Sequence, residues 1–277
     1  MRYSPLFPDT VLSIYCLQGV VPEKIGQLVD CFLGNWQEDD YSFLFFQRPV
    51  DDFIHNLVSE DKNLKLIDHY SMTYEQWQGA PSKPFQLGSF MIYPPGVECS
   101  PGSGQLSFIL DAGVVFGNGT HPTTRDCLLA IECANRAGNI ETMLDLGTGT
   151  GVLALGAARL GVRKIAAVDY TLLAAQTAQR NVQINNLADI IVVVNGRAEE
   201  FTSMPTDLMV ANIHYDVMKS IVESEGLRKQ KFFVLSGLLS SEAEEIVKTL
   251  NKRGMKIIKR WEAEETWQTM LGSNRLQ

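Results

Sequence analysis

The chain has 277 residues, 45% of them apolar and 20% charged, with a net charge of −8. No apolar run approaches the roughly 20 residues that span a bilayer, and no cluster of Lys and Arg offers the basic stripe of a nucleic-acid surface. Neither a membrane nor a nucleic acid is therefore an expected partner. The cysteines Cys16, Cys31, Cys99, Cys127 and Cys133 are scattered without a C-x-x-C pair, which argues against a disulfide framework or a zinc site.

In chain order, "MRYSPLFPDT" lacks a basic segment followed by an apolar one, so a secretory leader is not expected and the cytoplasm is the expected compartment. "TVLSIYCLQG" reads as a strand. "PEKIGQLVDCFLGNW" reads as a helix with Pro22 in its first turn, and "YSFLFFQRP" as a second strand. "DDFIHNLVSE" and "NLKLIDHY" add a helix and a strand. The expectation is a small α+β domain over residues 1–70. "APSKPF" and "YPPGVECSPGSG" are rich in Pro, Gly and Ser, so residues 71–104 read as linker and loops.

Residues 105–277 read as the main domain. The apolar runs "MLDLG", "KIAAVDY", "IIVVV", "DLMVANI" and "KFFVLSG" alternate with the helical stretches "VLALGAARL", "LLAAQTAQRNVQIN" and "YDVMKSIVESE". Continuous apolar strands separated by helices predict a parallel sheet covered on both faces. After the helix "SSEAEEIVKTLNKRG" come "MKIIKRWEAE" and "TWQTMLGS", joined too closely for a crossover and so paired antiparallel. The predicted fold is α/β: a Rossmann-like, mostly parallel sheet of seven strands with an antiparallel last strand, plus the small N-terminal domain.

The stretch "MLDLGTGTGVLALGAARLGVRKIAAVDY" carries the chemistry. Gly147, Gly149 and Gly151 follow the first strand and open a helix, allowing a sharp turn and close approach of a ligand. The helix start suits an anion. Asp169 ends the second strand, where a carboxylate accepts from the hydroxyls of a ribose. A dinucleotide fingerprint would place its third glycine at position 152, which is Val152 here. Asp145 lies two residues before the first glycine and sets a negative charge where a pyrophosphate would sit. That favours S-adenosylmethionine (SAM), with its ammonium and sulfonium, over NAD.

Three further segments supply candidates. "AEEF" could line an adenine through the Ala198 N–H and Glu199, or be an exposed acidic turn. Asn212 ends the fourth strand, where a ligand is expected, and its amide can accept from an attacking amine. "FGNGTHPTTRDC" precedes an amphipathic helix carrying Leu128, Leu129 and Ile131. Thr123 and Thr124 can cap that helix while facing the methionine end of the cofactor.

Taken together, "FGNGTHPTTRDCL", "MLDLGTGTGVLALGAARLG", "VDY" and "VANI" resemble the bacterial methyltransferases of ribosomal protein L11, the PrmA family. The resemblance runs from about Phe85 to "ETWQTML" and is strongest from Phe116 to Ile213. It implies SAM as donor and methylation of amino groups, lysine or N-terminus, on a ribosomal protein. It also implies a ferredoxin-like N-terminal module that docks the substrate. Family contacts to SAM fall on Thr124, Gly147, Asp169 and Asn212. Asp145, Gly149 and Phe116 complete the expected cofactor set, with Asn212 as the expected catalytic residue. After Asn-Ile the family continues with Leu-Ala, whereas this chain reads "NIHYDVM", placing His214 and Tyr215 near the acceptor entrance. The alternatives are a related methyltransferase for another protein lysine or a small molecule, a NAD-dependent oxidoreductase, and a non-catalytic adaptor.

Overall fold

A computed structural model describes residues 6–22, 25, 28–38, 40–79 and 83–274. They form two compact units, Met1–Ser82 with Ala112–Phe116, and Lys83–Asp111 with Gly117–Gln277.

The first unit contains β1 (Val11–Gln18), β2 (Phe32–Glu38), β3 (Tyr41–Phe46), α1 (Asp51–Glu60), β4 (Lys65–Thr73) and α2 (Tyr74–Gln78). Its sheet has the order β2-β3-β1-β4 with every pairing antiparallel, the strand order of the ferredoxin-like split βαβ arrangement. Tyr15, Leu17, Leu44 and Phe46 face Ile54 of α1 in one buried cluster.

The helix expected over "PEKIGQLVDCFLGNW" lies partly outside the described residues. Its last five residues, Phe32–Trp36, belong to strand β2. Sheet pairing overrides the helical reading because Trp36 and Glu38 find partners opposite Phe43 and Tyr41, and Gly34 absorbs a register shift. Trp36 then packs on Phe43 and Trp77, with ring centroids 5.9 Å apart in each pair.

The second unit begins within the expected linker. Residues 71–104 carry α2 and the end of β4 in the first unit, and in the second β5 (Phe85–Leu87) and β6 (Phe90–Tyr93). These join β7 (Leu106–Ile109) in a three-stranded sheet. Phe90, Ile92 and Phe108 are buried against Leu128 and Leu155. Then follow α3 (Pro122–Gly138), β8 (Thr142–Leu146), α4 (Val152–Arg159), β9 (Lys164–Asp169), α5 (Leu172–Ile184), β10 (Ile191–Asn195) and α6 (Ala198–Phe201). The chain continues with β11 (Leu208–Asn212), α7 (Tyr215–Glu223), β12 (Phe232–Leu239), α8 (Ser240–Lys252), β13 (Lys256–Ala263) and β14 (Trp267–Ser273).

The main sheet has seven strands in the order β10-β9-β8-β11-β12-β14-β13. The first five in this order are parallel, and β14 runs antiparallel to both β12 and β13. Strand alternation divides its side chains between two cores. Met143, Ile165, Leu208, Val210 and Val234 pack under α3 and α4. Leu144, Leu146, Met209, Ala211 and Phe233 pack under α7 and α8. Strands buried on both faces explain the unbroken apolar runs. Reversal of strand order at β8 and β11 leaves a crevice at their carboxyl ends, and the loops carrying Gly147–Gly151 and Asn212 meet there.

Candidate functional site

The glycine loop is shaped by its own backbone. Gly147, Gly149 and Gly151 have φ of +71°, +56° and +85°, the left-handed region that a side chain disfavours. The Gly147 and Thr148 N–H groups both donate to the Val168 carbonyl at 2.9 Å, fixing the turn to the tip of β9. A Cβ at Gly147 would overlap Ile213 Cγ2.

Two carboxylates serve the loop. Asp169 Oδ2 accepts from Gly149 N–H at 2.9 Å, and Oδ1 accepts from Thr171 N–H and Oγ1 at 3.1 and 3.0 Å. Asp145 is fully buried. Its Oδ2 accepts from Thr148 Oγ1 at 2.6 Å, while Oδ1 has no hydrogen-bond partner among the described residues. Burial, with the Asp169 charge adding to it, pushes the Asp145 carboxyl up to about 7. It is thus a buried group poised between neutral and charged, where the sequence suggested a fixed negative charge.

Across the crevice, Asn212 ends β11 half-buried, and its Nδ2 donates to Thr123 Oγ1 at 3.2 Å. His121 is the N-cap of α3, and its Nδ1 lies 2.7 Å from Thr123 Oγ1. Its ring meets Trp267 edge-on, with centroids 5.1 Å apart. Burial lowers the His121 pKa, opposed by the nearby Glu264 charge. Thr124 is buried in the first turn of α3, its N–H bonded to the His121 carbonyl at 3.0 Å. Gly237 (φ +82°) sits in an irregularity of β12, where a Cβ would stand 3.0 Å from Asn212 Oδ1. The bulge therefore clears space beside that oxygen.

Asp145, Gly147, Gly149, Asp169, Asn212 and Thr124 all belong to the second unit, at the strand tips and the start of α3. Phe116 is assigned to the first unit and is 66% exposed. Glu199 lies 3.7 Å from Arg197 in an ion pair on α6. His214 caps α7, and Tyr215 Oη donates to Glu245 Oε2 at 2.5 Å. That bond pushes the phenol up to about 12.

Sequence reasoning missed the Thr123–Asn212 bond, Trp267 and Gly237. A glycine inside the apolar run "KFFVLSG" was the available signal for a bulge. It also missed Asn181, buried on α5, whose amide donates to the carbonyls of Asp111 (2.8 Å) and Thr150 (2.9 Å) and accepts from Asp111 N–H (2.9 Å). This side chain ties the glycine loop to the segment that follows β7. Among the described residues no cluster of His, Cys, Asp or Glu could hold a metal ion, and no helix is long and apolar enough to cross a membrane.

Comparison with known proteins decides the family. The family model described as Ribosomal protein L11 methyltransferase (PrmA) matches residues 45–275. The chain belongs to this family. The ribosomal protein L11 methyltransferase of Lacticaseibacillus paracasei is 39% identical over 163 residues, which is 58% of this chain and 51% of that protein. Its counterpart from Bacillus cytotoxicus is 33% identical over 207 residues, 72% of this chain and 65% of the relative. The crystal structure of ribosomal protein L11 methylase from Lactobacillus delbrueckii subsp. bulgaricus aligns with a TM-score of 0.57 at 26% identity, over 69% of this chain and 97% of that one. The chain spans between 51% and 65% of the length of these two curated PrmA relatives.

Proposed function

We propose that this PrmA-family chain transfers methyl groups from SAM to amino groups of a ribosomal protein. The observation that carries this reading is the buried Asp145 carboxyl, with Oδ1 unpartnered and a pKa of about 7, beside a glycine loop at the sheet's carboxyl rim. Such a group fits a cationic ligand, because an adjacent positive charge would draw off its proton and complete its hydrogen bonding. A pyrophosphate would meet the same carboxyl with like charge.

When bound, SAM supplies an electrophilic methyl on a positively charged sulfur that departs as a neutral thioether. Gly147 and Gly149 allow close approach of the chain to it. Asp169 keeps lone pairs for ribose hydroxyls beyond those used by Gly149 and Thr171, and Thr124 faces the methionine end. Asn212 Oδ1 accepts an N–H of the incoming amine and aligns its lone pair, so positioning supplies most of the rate. A lysine begins with a pKa near ~10.4, and desolvation at the entrance lowers it. No charged base is needed. The ferredoxin-like first unit docks the substrate protein.

The test is incubation with tritiated SAM and bacterial ribosomes whose L11 is unmethylated. Label is expected in L11. Label confined to another band redirects the substrate, and calorimetric saturation by NAD with no heat from SAM overturns the reading.

A further inference from the structure

The hydroxyl of Thr123 joins the His121 ring to the Asn212 amide. Backbone N–H of Thr123 carries a proton that cannot move, and it points at His121 Nδ1 over a long 3.4 Å. Nδ1 is therefore an acceptor, which places the ring proton on Nε2. With Nδ1 bare, the hydroxyl 2.7 Å away donates its own proton to the ring. The lone pairs of Thr123 Oγ1 then face Asn212, whose Nδ2 donates across 3.2 Å. Because Thr123 is 1% exposed, bulk water is not available to compete for the hydroxyl. An amide has two near-isosteric orientations, and this chain selects one of them. Nδ2 turns toward α3, and Oδ1 lies on the side of Gly237, where a Cβ would crowd it at 3.0 Å.

We propose that Thr123, oriented by His121, is a positioning residue that fixes the Asn212 amide so that its oxygen, not its nitrogen, faces the acceptor amine. This rests on the methyl-transfer reading. A flipped amide would present N–H to an amine that needs an acceptor, and alignment would be lost while the donor pocket at Asp145, Gly147 and Asp169 stayed intact. The neutral ring suits the role, since burial depresses the His121 pKa. Facing the ring are Trp267, uncharged, and Glu264, whose carboxylate opposes the depression.

The experiment compares Thr123→Val, which keeps shape and loses the hydroxyl, with Thr123→Ser, which restores it. L11 is the methyl acceptor. Thr123→Val is expected to lower kcat about tenfold or more, the size of one lost hydrogen bond at about 1.4 kcal/mol, with calorimetric SAM affinity within about threefold. Thr123→Ser should recover most of the rate. In an Asn212→Ala background the same change should cost less than about twofold. A readout free of turnover is the Asn212 side-chain amide resonance in isotope-labelled, ligand-free protein. It should be single in the native chain and in Thr123→Ser, and shifted or doubled in Thr123→Val. An unchanged resonance in Thr123→Val, an equal loss with and without Asn212, or a loss of SAM affinity matching the loss of rate would overturn the proposal. Absence of L11 methylation by the native chain would sink the functional reading instead, leaving the resonance to decide the amide's orientation.

Discussion

Asp145→Asn exchanges one oxygen for nitrogen in a side chain that is fully buried and accepts from Thr148 Oγ1 at 2.6 Å. The native carboxyl titrates near 7 in the folded chain and near ~3.9 when unfolded. Between these values the folded state binds a proton that the unfolded state has released. Stability therefore falls as pH rises across this window and levels off above 7. From pH 5 to 7.5 the group costs about 2 to 3 kcal/mol of further stability, at up to ~1.4 kcal/mol per pH unit. Asn carries no such dependence. Urea unfolding of both proteins at pH 5, 6, 7 and 8 should show Asp145→Asn gaining about that much relative to native as pH rises. Under the proposed function ligand binding runs the other way, because the positive charge of SAM would favour the ionised form. Calorimetry in two buffers of different ionisation enthalpy should show net proton release on SAM binding at pH 6 that shrinks by pH 8. A stability difference that does not change with pH would refute the buried, raised carboxyl. Binding without proton release at pH 6 would refute its pairing with the cation.

Three other perturbations are expected to give distinct results. Gly147→Ala places a methyl on Ile213 at a φ of +71°; thermal unfolding should register a loss of about 2 kcal/mol or more, and under the proposed function methylation of L11 should fall with it. The β13–β14 turn holds Glu264 and Glu265 both at φ +54°, closed by Thr266 N–H donating to the Ala263 carbonyl at 3.1 Å. Replacing the pair by Asn-Gly, the residues such a turn favours, should raise stability by about 1 to 2 kcal/mol in chemical unfolding, and a loss would contradict the strain. Asn181→Leu strands three buried backbone groups and should lower stability by about 3 kcal/mol or more, seen as a drop in melting temperature of roughly 6 to 12 °C.

The middle of the main sheet was legible because β8, β11 and β12 are buried along nearly their whole length, so an unbroken apolar run between helices marks each of them. The reversal at the end was legible from loop length alone: only Glu264, Glu265 and Thr266 separate β13 from β14. What escaped was short or long-range. Strands β5, β6 and β7 span three or four residues each, too few for a period to emerge, and β5 and β6 lie among the Pro and Gly of residues 71–104 that read as linker. Strand β2 carries Phe32, Trp36 and a glycine that fit either period, and only its partner β3 decides between them. The hydroxyl of Thr123 and the amide of Asn212 are 89 positions apart, and no local pattern joins them.

The glycines show why a correct motif can carry an incomplete reason. From sequence, Gly147 was bare so that a ligand could approach. In the fold its missing Cβ makes room for Ile213, and the missing Cβ of Gly237 makes room for the Ile213 backbone and Asn212 Oδ1 from the other side. The tip of β11 is thus gripped between the tips of β8 and β12, with Ile213 N–H bonded to the Ser236 carbonyl at 3.2 Å. The same absence of side chains that opens the loop to a ligand also sets where Asn212 stands. Under the proposed function, the glycine loop and the Asn212 amide are therefore coupled through Ile213, and a change that enlarges either glycine should disturb donor binding and methyl transfer at once. A change at Thr123 alters only the direction in which the amide faces.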